Sequence, residues 1–248
     1  MSTTSLVIAS LLLTIPIFIS YKEHLGLEKE IIISSLRALV QLIVVGYILD
    51  IIFGFENPIF TISLVLVMII NAALNTKKRG SGIKNVVWIS FISIAVGTTI
   101  IMTVLIISGA INFKPSEVIP IAGMVISNSM VAIGLSYRNL NASFKSRRGE
   151  VEVKLSLGAD VNVASKSIIR DSIKISMLPT IDSAKTLGIV ALPGMMTGLI
   201  LAGKSPLVAI KFQIMVTFMI LSSSSIATII ATYMSYRNFF NKRKQLKI

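Results

Sequence analysis

The chain has 248 residues, of which 54% are hydrophobic and 14% charged, with a formal net charge of +13. Its mean hydropathy is +0.84, and apolar runs repeatedly reach the roughly 17–25 residues a helix needs to cross a bilayer. An ordinary soluble domain, about one quarter charged, is excluded. Cysteine is absent, which excludes disulfides, thiolate metal sites and cysteine nucleophiles, and the single histidine, His24, builds no multi-histidine site from its short polar loop. The expected fold class is an all-α polytopic membrane protein, one transmembrane domain over 1–248.

The first apolar run, SLVIASLLLTIPIFISY, has no basic stretch before it and no A-x-A-like site after it, so it reads as a retained membrane helix. Seven spans are expected in chain order, at 5–21, 31–53, 58–74, 86–108, 118–137, 186–202 and 207–236. They leave one long segment outside the membrane, 138–185.

Charge sets the expected orientation. Lys22 and Lys29 lie in the first connection, Lys77, Lys78, Arg79 and Lys84 in the third, and Arg138, Lys145, Arg147 and Arg148 open the fifth. The tail adds Arg237, Lys242, Arg243, Lys244 and Lys247, whereas the alternate loops hold only Lys114 and Lys204. By the positive-inside bias these odd connections and the tail are cytoplasmic and the N-terminus is outside. The positive charge is topological, and no nucleic acid is expected as a partner.

Polar residues inside spans are the candidates for function. Arg37 and Gln41 are four apart and share a helix face, which either points into the bundle or lets Arg37 snorkel to the headgroups. Ser127, Asn128 and Ser129 sit at mid-membrane in the fifth span, as interhelical hydrogen-bonding groups or solute contacts. Ser222–Ser225 read as small residues that permit close packing in the last span. No acidic residue lies deep in a span, against a proton-coupled transporter.

In the fifth connection, EVEVKLSL alternates with period two, but a lone strand would leave backbone groups unpaired, so a helix is expected. Gly158 in LGAD then supplies a turn or close-contact point. Lys166, Arg170 and Lys174 form a basic stripe and Ile169, Ile173 and Met177 an apolar one, as in a helix against anionic headgroups.

The run GIVALPGMMTGLILAG places Pro193 where it kinks or breaks the sixth span. Gly194 and Gly198 are spaced for close helix approach. Met195 and Met196 offer either thioether ligands for a soft ion or flexible packing; no metal is assigned to them. Gly198 to Ser205 also matches the literal P-loop pattern, GxxxxGK[ST]. It lies at the end of a membrane helix with Lys204 on the outer side, not between a strand and a helix, so it is read as a false match.

Several stretches together carry a family resemblance: LRALVQLIVVGYIL, IAGMVISNSMVAIGLS, LGAD, MLPTIDSAKTLGIVALPGMMTGLILAGKSP and FQIMV. They spread over most of the chain, and LPGMMTG with the downstream LAGxSP is specific. The chain resembles the FetB-like (UPF0014) iron-export ABC transporter permease family, related to plant aluminium-tolerance permeases. It departs from that pattern at Leu199, where glutamine is usual, and at Ser127, where glycine is usual.

The resemblance implies a non-catalytic permease subunit in the plasma membrane. It implies pairing with a second copy and with cytoplasmic ATPase subunits that bind ATP and magnesium, while this chain binds no cofactor. Export of iron, another metal or a metal-linked solute would proceed by alternating access. Glu150, Glu152, Leu157, Gly158 and Ala159 would couple to the ATPase, and Arg37, Gln41, Asn128, Pro193, Gly194, Met195 and Met196 would lie along the translocation path. The competing reading is an ion-gradient-driven transporter or channel that needs no ATPase.

Overall fold

The computed structural model describes residues 8, 10–54 and 57–247, which fall into two compact units, Met1–Glu56 and Asn57–Ile248. All regular structure among the described residues is helical. The first unit holds a 3-10 turn, Leu11–Leu13, then α1, Thr14–Lys22, and α2, Glu28–Gly54. Residues 5–7 and 9 of the first expected span lie outside the described residues. Within this two-helix unit α2 has only α1 to pack on, so apolar side chains such as Leu42 and Ile43 stay exposed.

The second unit contains α3, Pro58–Thr76; α4, Val86–Ile107; α5, Pro115–Ser146; α6, Arg148–Ser156; α7, Val161–Thr186; α8, Gly194–Leu201; and α9, Pro206–Ser235. Three of these helices start at proline, whose missing amide costs nothing in a first turn. Asn57 and Ser205 cap two of them, accepting from the amides of Ile59 and Val208. EVEVKLSL is helical, as the unpaired-strand argument requires.

Cross-helix contacts fix the directions. Ser136 meets Thr232 at 2.7 Å, and Phe144 stacks on Phe239 at 4.4 Å between ring centroids, so α5 and α9 run parallel. Asn139 donates to Ser172 at 3.0 Å, while Asn128 shares a cavity wall with Thr180 and Ser183, so α7 runs antiparallel to α5. A Cβ on Gly123 would meet Met68, and one on Gly134 would come within 2.5 Å of Arg79, so α3 runs with α5 and α4 returns. The basic residues that follow α3, α5 and α9 and precede α4 and α7 thereby collect at one end of this unit.

The buried hydroxyls tie that bundle. Thr76 and Ser90 are 2.7 Å apart, and Ser90 and Tyr137 3.0 Å, linking α3, α4 and α5. Each such bond between membrane helices contributes about 0.6–2 kcal/mol. The expected ties at mid-span are not used this way: Ser127 and Asn128 bond back to the Met124 carbonyl of their own helix, and buried Ser129 has no partner. The close-packing role of the serine run is seen where Gly97 of α4 lies against the Ser223 backbone and Ala227.

Among the described residues five helices are long and apolar enough to cross a membrane: Glu28–Asp50, Pro58–Thr76, Val86–Ile107, Pro115–Ser146 and Pro206–Phe239. With the shorter apolar Leu11–Lys22, they make an all-α, polytopic membrane protein. The sixth expected span, 186–202, is not a continuous helix. α7 ends at Thr186, 187–193 is a turn, and α8 has only eight residues, about 12 Å of helix. α7 also departs from expectation: Ile169 is buried and Ile173 packs on the bundle core, so its apolar stripe faces protein and only the basic stripe is exposed.

Candidate functional site

Two places in the second unit gather the residues of interest, and α7 joins them. The first is the elbow between α6 and α7. α6 ends because Gly158 turns left-handed (φ +87°), letting its amide reach Leu155 and that of Ala159 reach Lys154. A side chain there would meet nothing within 4 Å but would strain the backbone. Val151 is fully buried and anchors α6, whereas Leu157 projects with 82% of its surface exposed.

Charge holds the elbow in shape. Arg147 binds Glu150 and Asp171, each at 2.8 Å, Lys154 binds Glu150 at 2.6 Å, and Arg148 binds Glu152 at 2.7 Å. Hydrogen bonds from Arg147, then Lys154, hold the Glu150 carboxyl down to about 2. The two glutamates expected to couple are thus already ion-paired within the chain, leaving Leu157 as the free projection.

The tail completes this surface. After the 3-10 turn Tyr236–Phe239, the chain folds back with a bridge between Phe240 and Leu246, and Phe240 packs edge-on to Phe144. Lys244 then reaches Asp160, the N-cap of α7, at 2.8 Å and lowers its pKa. A groove of about 830 Å³ lies between elbow and tail, lined by Glu152, Gly158, Ala159 and Asp160 on one side and Arg243 and Lys244 on the other. Nothing local in the sequence pairs residue 160 with residue 244, so the tail contact was missed.

The second place is the break itself. Leu187 leaves the helix with extended ψ, Gly188 is left-handed (φ +81°), and Pro193 caps α8 in an extended conformation. Ile189 and Val190 project from the turn, almost fully exposed. Behind the turn lie two cavities of about 480 and 140 Å³, both lined by Ala184, Leu187, Pro193, Gln213 and Thr217. Asn128, Thr180 and Ser183 line the smaller and Met196 the larger. The Gln213 Oε1 is buried without a hydrogen-bond partner.

Of the expected path residues, Asn128, Pro193 and Met196 therefore come together here. Met195 turns the other way and packs on the core, and Gly194 and Gly198 have nothing within 4 Å of a Cβ position. Arg37 and Gln41 lie one turn apart on α2, both exposed, in the first unit. Gln213 and Thr217 were not foreseen, although a lone amide in an apolar helix was the signal available. Gly198–Ser205 is a helix end: the amides of Ala202, Gly203 and Lys204 donate to the carbonyls of Gly198, Ile200 and Leu199. Those amides are engaged and form no phosphate cradle. Among the described residues no group of three or more His, Cys, Asp or Glu side chains is placed to hold a metal ion.

Residues 3–240 match the Uncharacterised protein family (UPF0014). The chain belongs to this family. It is 52% identical to the Probable iron export permease protein FetB of Escherichia coli (strain K12), over 98% of this chain and 94% of that protein. It is 35% identical to UPF0014 membrane protein STAR2 of Oryza sativa subsp. japonica, covering 97% of this chain and 84% of that one. Protein ALUMINUM SENSITIVE 3 of Arabidopsis thaliana is also 35% identical, over 96% and 88%. No solved structure matches. The UPF0014 chain is thus a FetB-like multi-pass membrane permease, as the sequence motifs implied.

Proposed function

We propose that this chain is the permease subunit of an ABC exporter in the plasma membrane, pairing with a second copy and with two cytoplasmic ATPase subunits. Its cargo is iron, another metal or a metal-linked solute, as the name of its Escherichia coli relative suggests. The observation that carries the mechanism is α7. This one helix of 26 residues, about 39 Å long, has the exposed elbow at its start and a wall of the cavity, Thr180 and Ser183, near its end.

ATP closure of the partner dimer presses on the elbow around Leu157, and α7 carries the displacement past its interior Pro179, where a helical hydrogen bond is missing, to the broken segment. There 187–193 and α8 are free to rearrange, opening the cavity to alternate sides. The basic residues gathered at the elbow end support a cytoplasmic elbow by the positive-inside bias, and the reading takes seven crossings with the N-terminus outside. The sixth crossing consists of the end of α7, the turn and α8. ATP and magnesium bind the partner; this chain contributes no catalytic residue.

Affinity purification of the tagged chain from its own membranes in mild detergent tests the reading. A near-stoichiometric soluble ATPase is expected among the copurifying proteins. A chain that comes out alone under several detergents would move the gradient-driven transporter into first place.

A further inference from the structure

The cavities behind the break have a lining that restricts their cargo. Gln213, Asn128, Thr180, Ser183 and Thr217 supply neutral amides and hydroxyls, Met196 a thioether, and the rest is aliphatic or aromatic. Among the described residues no carboxylate, imidazole, ammonium or guanidinium lines either cavity. A bare divalent or trivalent iron ion holds its water tightly and gives it up for anionic oxygen or imidazole ligands. In a charge-free, largely apolar chamber nothing would compensate the lost hydration. The unpartnered Gln213 Oε1 and the apolar walls suit a different object, with an apolar surface and a few hydrogen-bond donors.

We infer that the cargo occupies this chamber as an uncharged complex, a metal whose charge is cancelled by its own ligands, and not as a free cation. This rests on the reading of the chain as a metal-linked permease and names the chemical form of what that permease takes. Gln213 is the specificity-determining residue: its free oxygen accepts a donor from the ligand shell, and Thr217, one turn along α9, contributes a hydroxyl to the same wall. The wall keeps a free ion out because it offers no countercharge. The roughly 480 Å³ of the larger chamber accommodates a small chelate.

The test is equilibrium dialysis of radiolabelled iron against the full-length chain in lipid nanodiscs, with two probes. One is hydrated ferrous ion, kept anaerobic; the other is ferric tris(acetohydroxamate), in which three monoanionic ligands cancel the ferric charge. The neutral complex is expected to bind saturably, with Gln213→Leu and Thr217→Val each weakening it about tenfold, while ferrous ion shows no saturable binding. Gln213→Glu reverses the preference, gaining ferrous ion and losing the neutral complex. Thr217→Val, nearly isosteric, carries the test if Gln213→Leu fails to elute as a single species.

Saturable ferrous binding to the unaltered chain that Gln213→Leu abolishes overturns the inference. So does failure of both probes, or neutral-complex binding that neither substitution changes. The ATPase copurification stands apart. Binding of the neutral complex by a chain that purifies alone would sink the ABC reading and leave the cargo class in place. A copurifying ATPase with binding of ferrous ion alone would do the reverse.

Discussion

The elbow and the break sit at opposite ends of one helix and are built in opposite ways. At the elbow, five ion pairs, a buried Val151 and stacked phenylalanines hold a short helix and the tail together, while Leu157 and Val153 stand clear. At the break, seven residues leave the helix, Ile189 and Val190 project, and the α8 glycines have open space where a Cβ would stand. The difference teaches where motion is stored. On the proposed mechanism a lever must keep its shape when pushed, and what it moves must not, so that reading puts the stiff contacts at the elbow and the loose ones at the cavity.

The sharpest way to break that contrast is to damage the stiff end. Gly158→Arg should insert into membranes normally, because nothing crowds the position, yet left-handed backbone costs a non-glycine residue about 1–2 kcal/mol. ATP hydrolysis by the reconstituted complex is expected to fall to roughly a tenth or less of its normal rate. Wild-type turnover would remove the elbow from coupling. At the loose end, Pro193→Ala relaxes the restriction on Leu192 and lets 187–193 re-enter helix. Flux should drop about two- to fivefold at unchanged expression, and unchanged flux would reduce the break to packing.

The tail contact should matter less. Asp160 and Lys244 are both more than half exposed, so their pair contributes about 0.2–1 kcal/mol. Asp160→Lys and Lys244→Asp should each loosen the elbow to protease. The double reversal should restore protection, and additive damage in the double variant would show that the pair does not act as one. The smallest effect is that of pH. Glu150 has its carboxyl depressed from 4.5 to about 2, so its contribution is complete above 4.5 and is lost as pH falls from there toward 2. The hydrogen-exchange protection of α6, taken relative to the intrinsic rate at each pH, should therefore be flat between about pH 8 and 5. Loosening in that window would mean that another group holds the elbow.

Much of this was legible in the residues. Hydropathy located the five long spans, the LPGMMTG and LGAD stretches identified the family, and Pro193 marked the break. The elbow glycine was legible because a left-handed helix end is a local demand. The extent of the break was not: one proline predicts a kink, whereas the structure leaves seven residues outside helix. Nor were the hydrogen bonds foreseen, since Asn128 and Ser127 carry the same groups whether they bond to another helix or to Met124 above them.

Class, the five long apolar segments and the clustering of charge were determined by sequence alone, because each depends on solvation summed over neighbouring residues. Three other features were decided only by tertiary structure. Gln213, Thr180 and Asn128 face one chamber, Met195 and Met196 part company, and Lys244 closes on Asp160. These depend on which helices pack together and in which direction, and residues 84 positions apart meet only when that packing brings them within reach.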